Sequence, residues 1–269
     1  VPCNNLSLNF ILYKYYYFMK KANKKITAAI IIIGNELLSG RTQDVNVVTI
    51  SKWLNNLGVK LQEVRIIADT ENIIINTINE VRKKFNYVFT TGGIGPTHDD
   101  ITSKSIAKAF KIPYGYHNEA YKILKEYYGE KNFNKGRKKM AKLPITATLI
   151  YNPSSTAPGF IVENVFCLPG IPSILRSMLG GLNNKIIGGK KIFNETLNVR
   201  AVESEIAKSL TNVQNKFNLL EIGSYPFFKK GKVGVSIVVR SSDKNLIKKF
   251  IKKINNFLIK KKIKILRNK

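Results

Sequence analysis

The 269-residue chain is poor in the residues that build metal cages and cross-links. It holds two cysteines, Cys3 and Cys167, and two histidines, His98 and His117. That excludes a disulfide framework, a cysteine-rich zinc site and a multi-histidine metal cage. No apolar run approaches the roughly 18 residues that a membrane span needs, so the expectation is a cytoplasmic protein with no membrane partner. Acid is scarce too. Against 45 Lys and Arg there are 17 Asp and Glu, a net charge of +28, and only five of the acids are aspartates, at 44, 69, 99, 100 and 243. With 44% hydrophobic and 23% charged residues the chain is still globular. Its length admits one large or two modest domains.

The charge is not by itself a sign of nucleic acid. Lysine outnumbers arginine 37 to 8, and Lys, Ile and Asn together make 100 of the 269 residues. These are the residues of A/T-rich codons, so base composition accounts for much of the excess. A surface selected for nucleic acid tends to favour arginine, whose planar fork grips phosphate and guanine.

Residues 1–25 are expected to be an extension outside the fold. Their apolar stretch, Phe10–Met19, is interrupted by Lys14, and its basic residues follow rather than precede it, unlike a secretory leader. The first methionine is Met19, which makes it the expected native start. From Ile26 onward strand and helix signals alternate. Ile26–Ile33 is a continuous β-branched run, as in a strand buried on both faces. Helix follows over 44–57, strand over 59–68, helix over 69–85 with Asp69 or Thr70 as its cap, strand over 87–91 and helix over 101–110. This order predicts an α/β fold with a doubly wound, mainly parallel sheet, whose ligand sits at the carboxyl ends of the strands. Helices near 117–128 and 133–142, strands near 147–151 and 159–168, and a helix opened by Pro172 complete a first domain over 26–182. A linker is expected over 183–192. Residues 193–269 then read as a small α+β domain of split βαβ type.

Two loops carry the chemistry. Thr90–Thr102 (TTGGIGPTHDDIT) places Gly92, Gly93 and Gly95 between a buried strand and a helix. Glycines there permit a sharp turn and let a phosphate touch backbone N–H groups at a helix start. The spacing is neither a dinucleotide fingerprint nor a P-loop. Asp99 and Asp100 follow at once, beside Thr97 and His98. One aspartate can cap the helix while the other holds a divalent ion that bridges to phosphate. The second loop, Gly34–Asn46, leaves the first strand at the same sheet edge and offers Gly34, Asn35, Glu36, Ser39, Asp44 and Asn46. A third segment, Ser154–Phe160 with Leu168–Pro172, adds Pro169 and Gly170 at another helix start.

Taken together, GNELLSG from Gly34 with Asp44 and Asn46, TGGIGPTHDD from Thr91, Ala157–Gly159 and LPGIP from Leu168 resemble the MoaB/Mog molybdopterin-binding domain family. The likeness is to the branch found at the N-terminus of competence/damage-inducible (CinA-type) proteins and of eukaryotic FAD synthases. It covers roughly 26–182, and 193–259 looks like the small KH-type domain that follows in the CinA branch. The resemblance implies a three-layer Mog-like fold, a molybdopterin or nucleotide ligand at the glycine loop, and a homo-oligomer, with a dimer favoured. In molybdopterin-adenylating relatives the residue matching Asp100 is required, while the one matching Asp99 is usually Arg. A carboxylate in that place argues against adenylation. It fits the divalent-metal-dependent hydrolysis of ADP-ribose pyrophosphate associated with the CinA branch, with Mg²⁺, Mn²⁺ or Co²⁺ on Asp99 and Asp100 and with Glu36 or Asp44 activating water. Molybdenum-cofactor assembly is the alternative. CinA proteins carry a further C-terminal amidohydrolase domain; only ten residues follow Ile259 here, so that activity is not expected of this chain.

A different class of function rests on the C-terminus. Lys244–Lys269 hold eleven Lys and Arg and no acid. Their apolar residues fall on one helical face, which invites an RNA-binding reading. Gly231-Lys-Val-Gly234 matches the Gly-x-x-Gly string of KH modules, but it falls between two expected strands, whereas the KH loop joins two helices.

Overall fold

A computed structural model of the chain describes residues 26–217, 219–229 and 231–266. The expected extension over 1–25 lies outside them. Two compact units meet between Gly189 and Lys190. Among the described residues no helix is long and apolar enough to cross a membrane.

The first unit opens with β1 (Thr27–Ile33), the four-residue helix α1 (Asn35–Leu38), α2 (Asn46–Asn56), β2 (Lys60–Ile67), α3 (Glu71–Lys84) and β3 (Tyr87–Thr91). It continues with α4 (Thr102–Ala109), β4 (Tyr114–Tyr116), α5 (Asn118–Tyr128), α6 (Lys135–Lys139) and β5 (Lys142–Pro144), then β6 (Thr148–Ile150), β7 (Gly159–Val162), β8 (Val165–Leu168) and α7 (Pro172–Leu179). The main sheet has the order β2-β1-β3-β8-β7-β6, parallel through β2, β1, β3 and β8 and antiparallel across β8-β7-β6.

The run of isoleucines in β1 is explained by two cores, one on each face of this sheet. Ile31 and Ile33 pack with Ile74 and Ile78 of α3, Ile106 of α4 and Leu124 of α5. Ile30 and Ile32 pack with Ile50 and Leu54 of α2 and Leu175 and Met178 of α7. The result is three layers, helix–sheet–helix. Each isoleucine so buried contributes roughly 1.5–3 kcal/mol. Both cores anchor β1 and β3 side by side and fix where their carboxyl ends fall.

Three expectations change. The single strand over 159–168 is a hairpin, β7 and β8, turning at Glu163 with φ of 50°. The helix over 133–142 shrinks to Lys135–Lys139, and the next residues pair as β5 with β4 in a separate two-stranded sheet. The linker expected over 183–192 is partly core: Ile186 is buried beside Leu182, and the Ile187 amide donates to the Tyr87 hydroxyl at 2.8 Å.

The second unit contains β9 (Phe193–Arg200), α8 (Glu203–Lys216), β10 (Glu221–Lys229), β11 (Lys232–Ser241), α9 (Lys244–Lys260) and β12 (Lys264–Leu266). Its sheet has the order β10-β11-β9-β12 and is antiparallel at every pairing. Since β11 lies between β9 and β10, the β9-α8-β10 segment is a split βαβ unit. The KH-type label does not follow from this topology. Gly231 and Gly234 stand in and after the β10–β11 turn, and a β-hairpin separates the two helices. Val199, Val235, Ile237 and Val239 turn one sheet face toward Ile206 and Leu210 of α8 and Phe250 and Ile254 of α9. Asp243 caps α9 by accepting from the Asn245 and Leu246 amides at 2.7 and 3.3 Å.

Candidate functional site

All four parallel strands deliver loops to one edge of the main sheet, as the doubly wound topology requires. The β3 loop begins with two glycines that no other residue could replace without strain. Gly92 has φ +99°, and a Cβ there would stand 2.2 Å from the Ile33 carbonyl oxygen; Gly93 has φ +66°, and its Cβ would stand 2.2 Å from Thr102 Oγ1. The backbone thus presses against the end of β1. Gly170, after β8, packs its own backbone against Gly92, where an added Cβ would lie 3.5 Å from the Gly92 Cα. Asn46 of α2 is buried and donates from Nδ2 to the Gly170 carbonyl at 2.8 Å. The loops after β1, β3 and β8 are therefore tied into one floor.

Above this floor is a cleft of about 560 Å³. Its lining includes Glu36 after β1, Asp69 after β2, Gly92–Pro96 with Asp99 and Asp100 after β3, and Pro169–Ile171 after β8. Tyr128, Met140, Ala157, Pro158 and Ile174 make an apolar wall. Four lining residues are acidic and none is Lys or Arg.

The carboxylates differ in their attachments. Asp100 latches the loop: its Oδ2 accepts from the Thr97 amide at 2.8 Å and from the Thr97 hydroxyl at 2.5 Å. A Cβ on Gly95 would lie 2.7 Å from the same oxygen, so this glycine makes room for the latch. Asp99 is held below the ordinary carboxylate range, first by the Thr97 hydroxyl, whose one proton it shares with Asp100, and then by its own backbone amide. Asp69 is raised. Burial is the main cause and the charges of Glu36, Asp99 and Asp100 add to it, while the Asn35 amide, donating to Oδ2 at 2.9 Å, opposes it.

Of the residues singled out from the sequence, the structure brings Glu36, Gly92, Gly93, Gly95, Asp99, Asp100, Pro169 and Gly170 to the cleft. It gives other residues supporting places. The Gly92 amide is not a free donor, because it bonds the Leu168 carbonyl at 3.1 Å. The amides of Gly93, Ile94 and Gly95 have no partner among the described residues and are the donors the loop can offer. Asp44 does not line the cleft; it accepts from the Val47 amide in the first turn of α2 at 2.8 Å. Ser39 Oγ donates to the Glu36 carbonyl at 3.1 Å, Asn35 acts through its amide, and Thr97 holds Asp100. Gly34 leaves β1 against Glu36, where an added Cβ would meet Oε1 at 2.5 Å. His98 is exposed and outside the lining.

The sequence reading missed Asp69, treating it as a helix cap. Its signal was available: it is one of five aspartates and directly follows a strand of a parallel sheet. It also missed Tyr128 and Met140, which no spacing links to the glycine loop.

Among the described residues no three Asp, Glu, His or Cys side chains are placed to enclose a metal ion by themselves. An ion of Mg²⁺ type does not need such a cage. It takes one or two carboxylates and completes its shell with ligand phosphates and water. The donor set here, oxygen-only and open to the cleft, fits an ion of that kind.

Comparison with known proteins gives the same division of the chain. A family model described as "Probable molybdopterin binding domain" matches residues 29–187, and one described as "FAD synthase, middle domain" matches 191–266. A protein of Archaeoglobus fulgidus is 33% identical over 229 residues, covering 85% of this chain and 96% of that one. A protein named as competence-damage inducible in Clostridium botulinum is 31% identical over 252 residues; the match covers 86% of this chain but spans only 59% of that relative's length. The crystal structure of CinA, of unknown function, from Thermoplasma acidophilum is similar at 30% identity and a TM-score of 0.56, over 60% of this chain and 98% of that one.

Proposed function

This chain belongs to the "Probable molybdopterin binding domain" family, in its CinA-type branch with a Mog-like α/β fold, and from that premise we propose that its cleft binds a phosphorylated dinucleotide or pterin and, with a divalent ion, hydrolyses a pyrophosphate such as that of ADP-ribose. One observation carries the reading. A chain of net charge +28 lines its cleft with four carboxylates and no Lys or Arg. The unpartnered amides of the glycine loop attract phosphate, and the carboxylates repel it. The two are reconciled when a cation stands between them.

In this proposal Gly93, Ile94 and Gly95 hold a phosphate through their amides. Asp99 and Asp100 hold the ion, Asp100 with the oxygen that the Thr97 latch leaves free. The ion supplies neutralisation of phosphate charge and acidification of water. Asp69, the carboxyl with the raised pKa, takes the proton from the attacking water; Glu36 faces the same space. The apolar wall of Tyr128 and Met140 receives the flat ring of the base or pterin.

The test is turnover of ADP-ribose by the purified chain with Mg²⁺, Mn²⁺ or Co²⁺ and with EDTA, alongside binding of FAD and molybdopterin. Hydrolysis that needs the ion and falls at least about 100-fold in Asp100→Asn supports it, the low end of what one positioned catalytic group contributes. Unchanged turnover in Asp100→Asn overturns it.

A further inference from the structure

The second unit carries a surface that the cleft does not use. Because both helices pack on the face bearing Val199, Val235, Ile237 and Val239, the alternate residues form the opposite face of the four-stranded sheet, which neither helix covers. The register lines them up in rows across the strands. At one end Lys264 on β12 pairs with Arg200 on β9, and Gly234 on β11 pairs with Phe227 on β10, just beyond the Val235–Val199 pair that joins β11 to β9. The next row runs Leu266, Asn198, Ser236 and Tyr225.

Three features of these rows belong together. Lys264 and Arg200 are directly opposite one another, a like-charge pair that destabilises a sheet unless an anion joins it. Both aromatics overlie glycines. A Cβ on Gly234 would come 2.4 Å from Phe227 Cζ, and one on Gly223 2.9 Å from Tyr225 Cε2, so each ring covers a bare stretch of backbone. Tyr225 remains 50% exposed. Between cations and rings the middle strands offer hydrogen-bonding groups, with the Ser236 hydroxyl donating to Asn198 Oδ1 at 2.7 Å.

We infer that this sheet face binds single-stranded RNA: Arg200 and Lys264 take backbone phosphates, Phe227 and Tyr225 stack bases, and the polar middle strands meet 2′-hydroxyls. Aromatic rings on a four-stranded sheet backed by helices are one of the ways in which proteins take up unpaired bases. A second copy of the chain is a poor occupant, since it would bring the same two cations against this pair. The basic helix α9 is not the site. Its Lys248, Lys249, Lys252 and Lys253 are exposed on the side away from this face, and the ring that Lys253 Nζ approaches at 5.5 Å, Phe217, is packed against the core beside Phe250 rather than laid open to a base. The inference is independent of the pyrophosphate reading, because none of these residues lines the cleft.

The experiment is fluorescence anisotropy of the full chain with a labelled twelve-nucleotide oligo-U, the corresponding oligo-dT and an RNA duplex, over a salt series. Oligo-U is expected to bind in preference to the other two. Tyr225→Ala and Phe227→Leu should each weaken it by about 5- to 100-fold, the range that loss of one base stack gives. Tyr225→Phe should retain binding and shows that folding alone is not at issue. Arg200→Gln should flatten the salt dependence, while a Lys248→Gln/Lys249→Gln/Lys252→Gln/Lys253→Gln variant should leave the oligo-U preference in place. Equal binding of duplex or oligo-dT, an unchanged affinity in Tyr225→Ala and Phe227→Leu, or loss of binding in the α9 variant alone would each overturn the inference.

Discussion

Replacing Gly93 by alanine tests the geometry that builds the cleft floor. At φ +66° an L-residue pays roughly 1–2 kcal/mol for the left-handed region. The added Cβ would stand 2.2 Å from Thr102 Oγ1, well inside contact distance, in a site where Thr102 is fully buried. Overpacking of that kind costs about 1–3 kcal/mol. The expected loss for Gly93→Ala is thus about 2–5 kcal/mol. Adding Thr102→Ala removes the clashing atom, and its hydroxyl has no hydrogen-bond partner to lose. The double variant should therefore recover the steric part, a coupling of about 1–3 kcal/mol, and retain the backbone part. Gly92→Ala is the control: its clash is with the Ile33 carbonyl, main chain of β1, and no side-chain change can relieve it. The assay is urea unfolding followed by Trp53. This is the chain's one tryptophan, and it lies in the first unit, 5.6 Å from the Phe89 ring. The reasoning fails if the coupling is below about 0.5 kcal/mol at constant m-value.

Three further outcomes are expected. Asp69→Asn should be more stable than the parent at pH 7–8 and should converge with it below about pH 4: a carboxyl whose folded pKa is raised contributes stability only below its unfolded pKa of roughly 3.9 and loses it as pH rises through the folded value. A wild-type Trp53 unfolding midpoint that stays above that of the variant at pH 8 refutes this. Glu80 is lowered to about 2 by Arg65 first and Lys84 second, so its contribution is present above the ordinary carboxylate value and fades as pH falls toward 2. Glu80→Gln should lower the urea midpoint at pH 7, with the gap closing at pH 2 and narrowing in high salt. Cys167 is fully buried and pushed up to about 12 by desolvation. Peptide mapping should find it unlabelled by a thiol reagent at pH 8 until urea unfolds the chain, and labelling at the rate of a free cysteine in native protein counts against its burial.

The legible parts of the fold were those with one dominant signal. β1 and β3 were readable because strands covered on both faces are apolar throughout, and β9 because it alternates. The hairpin β7–β8 was not, for the same reason that made β1 easy. Residues 159–162 and 165–168 are apolar on both faces, so no alternation separates two strands; the only mark of the turn is the polar pair Glu163-Asn164, and Glu163 enters the left-handed region without a glycine to announce it. Lys135–Lys139 could not be bounded because KGRKK has no apolar stripe. In the site, the glycine string and its aspartates were visible because they are contiguous. The Gly92 amide's bond to Leu168 and the wall of Tyr128 and Met140 depend on strand order and on tertiary contacts, which no local spacing encodes.

The scarcity of acid gives the sharpest form of the functional reading. A carboxylate and a phosphate charge about 4 Å apart repel by about 4 kcal/mol at an effective dielectric constant of about 20. If the cleft admits phosphate only with a cation, neutralising one carboxylate must act in opposite directions with and without the ion. Glu36 is the residue for this test, since Asp99 and Asp100 also hold Thr97 and Asp69 also holds the Asn35 amide. In EDTA, Glu36→Gln should bind ADP-ribose more tightly than the parent, by one to three decades, because a repulsion of up to about 4 kcal/mol is removed. With Mg²⁺ or Mn²⁺ present the order should reverse or the difference vanish. Titration calorimetry under both conditions measures it. A change of the same sign and size with and without the ion would mean that the carboxylates act on the ligand directly, and the ion would then have no place in the site.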